Sequence, residues 1–79
     1  MTKDEIIKHE YESIKEIWKF EHKWLEKLPL KQDDYDEMIA ESNKIAGKFK
    51  GEYQKIIVRR FNAYMDSIEV FDKKMKGVK

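Results

Sequence analysis

Three charged residues stand where helical faces would otherwise be apolar: Glu10, Glu21 and Arg60. Glu10 and Glu21 fall inside the apolar arc of a first helix, and Arg60 falls between Ile56 and Tyr64 in a later one. An unpaired charge in an apolar stripe is costly, so the expected arrangement is a Glu10–Arg60 ion pair in or beside the core. A register-fixing pair of that kind, once buried, loses about 3–5 kcal/mol when one partner is removed. Further carboxylates recur at helical spacing in Asp66, Glu69 and Asp72, and again in Asp33, Asp34, Asp36 and Glu37. Glu69 and Asp72 have the spacing to offer hard oxygen ligands to a cation. Glu69 is expected to point away from the core, however, and only Asp34 and Glu37 approximate a second pair. His9 and His22 are thirteen residues apart, which is not a helical ligand spacing, and both are expected to face solvent. The chain has no cysteine, hence no thiolate ligand or cysteine nucleophile. Gly47 and Gly51 lack the Gly-Lys-Ser/Thr of a phosphate loop. No catalytic residue, metal site or cofactor is predicted, and the chain is not expected to be an enzyme.

Charge layout suggests another kind of chemistry. Met1 to Asn43 carries 7 lysines and 12 acids, so −5, whereas Lys44 to Lys79 carries 10 basic residues and 4 acids, so +6. Lys44, Lys48, Lys50, Lys55 and Arg59 form the basic set from which a nucleic-acid surface could be built. In a helix-turn-helix reading, Gln54 is the one good base reader at the start of the last helix. Against this stand the total charge of +1 and the presence of only two arginines. Mutual neutralisation of the two halves is the plainer expectation.

The elements that position these residues are helices. Thr2 with Glu5 forms a capping box for a first helix, and Pro29 stops it, giving a helix over 3–28. Its core seam is read as Ile7, Tyr11, Ile14, Trp18, Leu25 and Leu28, with Ile6, Ile17, Phe20 and Trp24 widening the arc. A second helix over 34–49 opens with an Asp34–Glu37 cap pair and turns Tyr35, Met38, Ile39, Ser42, Ile45, Ala46 and Phe49 inward. A third over 52–76 carries the longest apolar series: Tyr53, Ile57, Phe61, Tyr64, Ile68, Phe71 and Met75, widened by Ile56 and Met65. Gly51 is the expected break, as a left-handed residue closing the second helix after Lys48 and Lys50. The alternative is an unbroken helix from Asp34 to Lys76, making a long hairpin that must dimerise. No strand pattern or repeat is present, so the reading is all-α: one small domain over 1–79, a three-helix bundle running up, down, up.

At 79 residues the core must be efficient or shared with a partner. No apolar run approaches a membrane span and Met1–Glu5 is not a signal peptide, so a cytoplasmic, soluble protein without membrane contact is expected. The aromatic content exceeds what a narrow seam needs. Phe20 and Trp24 at one edge of the first helix, and Val58 and Val70 outside the arc of the third, are the expected partner contacts. The function read from the sequence is a small non-enzymatic interaction module, a regulator or inhibitor, that binds another protein, itself, or both. The alternative is nucleic-acid binding through the basic region from Lys44 to Arg60.

Overall fold

The computed structural model describes residues 1–77. It consists of α1 (Lys3–Glu26), α2 (Gln32–Ala46) and α3 (Glu52–Met75), packed as an all-α three-helix bundle measuring 47 × 18 × 18 Å. Each helix starts and stops for a local reason. Thr2 Oγ1 accepts the Glu5 N–H at 3.2 Å, with Asp4 and Glu5 in the positive first turn of α1. Helix α2 begins two residues earlier than the sequence implies, because Asp34 is not its cap. Its Oδ2 instead reaches back to accept the Lys31 N–H at 2.8 Å. At the other end α2 stops at Ala46, and Gly47–Phe49 form a turn. Gly51 has φ of +61°, a backbone that side chains with a Cβ rarely adopt. It breaks the chain as expected, but it directly precedes α3 rather than closing α2. The unbroken-helix hairpin is therefore not formed.

Helices α1 and α3 run parallel. Along both, contacts rise together: His9 stacks on Tyr53, Phe20 meets Phe61 edge-on with centroids 4.9 Å apart, and Leu30, just past α1, meets Asp72. The core comprises Ile17, Phe20, Trp24, Leu30, Met38, Ala46, Phe49, Ile57, Phe61 and Ile68. Leu25, Leu28, Tyr35, Ile45, Tyr53 and Met65 pack against it. Trp24 is fully buried, with the ammonium groups of Lys23 and Lys27 lying 5.1 and 4.6 Å from its ring centroid.

Three expected core assignments are corrected. On α1 the buried stripe is Ser13, Ile17, Phe20 and Trp24, whereas Ile7, Tyr11, Ile14 and Trp18 are 58–68% exposed. Both stripes step by four, three, four, so helical periodicity alone cannot choose between them. They lie about 120° apart at roughly 100° per residue. On α3, Tyr64, Phe71 and Met75 are exposed while Asp72 is buried. On α2, Ile39 faces outward.

Candidate interaction surface

Ile7, Tyr11, Ile14 and Trp18 fall within about 60° of arc, giving one continuous apolar strip along the helix. Beside it the α1–α3 groove is lined by Ile14, Ile17, Trp18, Glu21, Arg60 and Tyr64, enclosing about 460 Å³. Two of the three charges flagged in the sequence therefore sit in the wall of this groove. Burial among these apolar neighbours raises the Glu21 carboxyl above its ordinary pKa. Arg60 lies across the groove and is engaged with α1 on its other side. Its Nη2 is 2.9 Å from Glu10 Oε2, and its Nη1 donates to Ser13 Oγ at 3.2 Å.

The Glu10–Arg60 pair thus joins the two parallel helices, but it is not buried. The side chains are 39% and 33% exposed, so water screens them and the pair is a rim contact. The loss expected for breaking a buried pair does not apply to it.

The remaining flagged residues are scattered. Phe20 and Trp24 are in the core, 1% and 0% exposed, and cannot anchor a partner. The apolar arc of α1 is wide because it serves two faces, and these two residues belong to the inner one. Val58 and Val70 are exposed, but twelve residues separate them, or about 120° around α3, so they share no patch. His9 does not face solvent freely. Its ring stacks on Tyr53 at 3.9 Å between centroids, and its Nδ1 is buried. His22 is exposed, 3.3 Å from Glu26.

In the basic set, Lys44, Lys48 and Lys50 gather at the end of α2 and the turn after it, and Lys55 pairs with Glu52 at 3.2 Å. Arg59 is exposed. Gln54, the expected base reader, instead donates from Nε2 to the Ala46 carbonyl at 3.2 Å and so satisfies an open end of α2. Beside Lys48 the surface also carries Glu12, Lys15 and Glu16, so the charge there is mixed rather than positive.

Asp72 was legible in the sequence only as one of a spaced set of acids. It is a buried clasp, 1% exposed. Its carboxylate accepts the Leu30 N–H at 2.7 Å, the Tyr35 hydroxyl, and Lys76 Nζ at 2.8 Å. Burial alone would raise its pKa, but the donors from Lys76, Tyr35 and Leu30 outweigh it and lower the value to about 2. The Tyr35 hydroxyl is pushed well above its ordinary value, by burial and by that hydrogen bond. No local sequence signal marks this role, because the backbone donor that Asp72 serves lies 42 residues away.

Among the described residues no group of three His, Asp or Glu side chains could hold a metal ion. No helix among the described residues is long and apolar enough to cross a membrane. No family model, curated protein or solved structure matches the chain.

Proposed function

We propose that the protein is a small non-enzymatic interaction module that presents the outer face of α1, with the α1–α3 groove, to a protein partner. One observation carries this reading: Ile7, Tyr11, Ile14 and Trp18 form an exposed apolar strip continuous with a groove walled by Tyr64 and Arg60. Tyr, Trp and Arg are the residues that most often anchor interfaces. The strip is not needed for the core, which closes without it. Apolar residues kept in line on the solvent side of a well-packed helix suit a surface that is covered in use.

The test is co-purification with wild-type and Trp18→Lys baits at low and high salt. A partner held by the apolar strip stays bound at high salt and is lost with Trp18→Lys. Binding that is indifferent to Trp18 and collapses with salt would instead assign the function to phosphate contacts by the basic residues at the end of α2.

A further inference from the structure

We infer that the occupant of the α1 face is a second copy of this chain, packed antiparallel about a two-fold axis that passes between Tyr11 and Ile14. This rests on the reading of that face as an interaction surface and names its partner. Three observations support it.

The first is area. With full side-chain areas of about 150–250 Å² for aromatics and somewhat less for isoleucine, the exposed fractions of Ile7, Tyr11, Ile14, Trp18 and Tyr64 leave roughly 500 Å² on this face. That is at the upper end of the roughly 300–600 Å² found for the largest, often functional, apolar patch of a monomer, and it matches the roughly 450 Å² of non-polar area within the about 800 Å² that a stable interface takes from each partner.

The second is self-complementarity. An isologous contact requires that residue i meet j and j meet i. With the axis between Tyr11 and Ile14, Ile7 faces Trp18 of the other copy and Tyr11 faces Ile14. Each large ring is set against a β-branched aliphatic side chain, and every member of the strip is used. The four, three, four steps are those of a helix seam that packs against another helix.

The third is charge. The contacting helix carries 5 lysines and 7 acids over Lys3–Glu26, so −2 spread among mixed signs, which gives two copies little mutual repulsion at physiological salt.

The register makes a specific covalent test available, because the chain has no cysteine. Single variants Ile7→Cys and Trp18→Cys are prepared, and each is oxidised alone and in equimolar mixture. The expected product is the mixed disulfide that joins position 7 of one copy to position 18 of the other, formed only in the mixture. Efficient same-site disulfides in either variant alone would overturn the antiparallel register. Alongside, sedimentation equilibrium of the wild type should give a dimer at micromolar concentration, and Ile14→Glu a monomer with unchanged helix content. A wild-type chain that stays monomeric, or an Ile14→Glu chain that stays dimeric, would overturn the second copy as occupant. The bait experiment above separates this failure from failure of the broader reading: a monomeric chain that still retains a different protein through Trp18 loses only the self-pairing.

Discussion

The carboxylate of Asp72, near the end of α3, accepts the backbone N–H of Leu30 at 2.7 Å across 42 residues of sequence. This bond fastens the α1–α2 connector to the third helix. Because its donors hold the Asp72 pKa at about 2, below the ordinary 3.8, the folded state prefers the ionised form. The resulting stability is present above pH 4 and is lost as pH falls toward 2. Asp72→Asn should lower stability at pH 7 by about 1.5–3 kcal/mol, as for hydrogen bonds to a charged group. It should also flatten the pH dependence between 4 and 2. Urea titrations at several pH values measure both effects, and an unchanged acid slope in the variant would assign that slope to other carboxylates.

The Glu10–Arg60 pair makes a smaller prediction than its place in the sequence implied. Both side chains are about a third or more open to water, and exposed pairs couple by about 0.2–1 kcal/mol. A double-mutant cycle with Glu10→Gln and Arg60→Met should return a coupling in that range. A value above about 3 kcal/mol would mean the pair is desolvated in solution.

The two tryptophans should behave oppositely. Trp24→Ala empties the centre of the core and should cost about 3–5 kcal/mol. Trp18→Ala, measured where the chain is monomeric, should fall within about 0.5 kcal/mol of wild type. Thermal unfolding of the two variants checks the assignment of the inner and outer stripes directly.

Two glycines in one connector should also differ in sign. Gly51 has a φ of +61° that a Cβ would strain, so Gly51→Ala should destabilise by about 1–3 kcal/mol. Gly47 has helical dihedrals, φ −62° and ψ −17°, and a Cβ there would sit at ordinary contact distance from the carbonyls of Lys44 and Asn43. Gly47→Ala should be neutral or stabilising by about 0.4–1 kcal/mol, through the unfolded chain. Chemical denaturation of both variants tests this.

Helix number, order and the break at Gly51 were readable because capping residues, Pro29 and the glycine act locally. The inner face of α2 was mostly readable for a related reason: its apolar residues form one narrow stripe, so periodicity had one answer. Helix α1 offered two apolar stripes of equal spacing, and which one turns inward depends on the other two helices. The inner stripe also includes Ser13, which is buried and accepts from Arg60, and a serine carries no apolar signal. Asp72 was hidden for the opposite reason. Its burial depends on a backbone donor 42 residues away, and nothing near it in sequence reveals that donor. The candidate surface was thus missed as a surface, although the apolar character of every one of its α1 residues is plain in the sequence.

Every residue of α1 before His9 is exposed, so its first two turns are held chiefly by their own backbone bonds and the Thr2 cap. Short helical segments without tertiary support fray, and amide hydrogens of residues 3–8 should exchange with solvent far faster than those around Ile17. Ile7 belongs to this loosely held end. Any occupant that covers Ile7 must therefore also fix the backbone beneath it, at up to about 1–2 kcal/mol per frayed residue. Affinity at this face is set partly by helix order in the free chain, and a stronger cap at position 2 would tighten binding without adding a single contact.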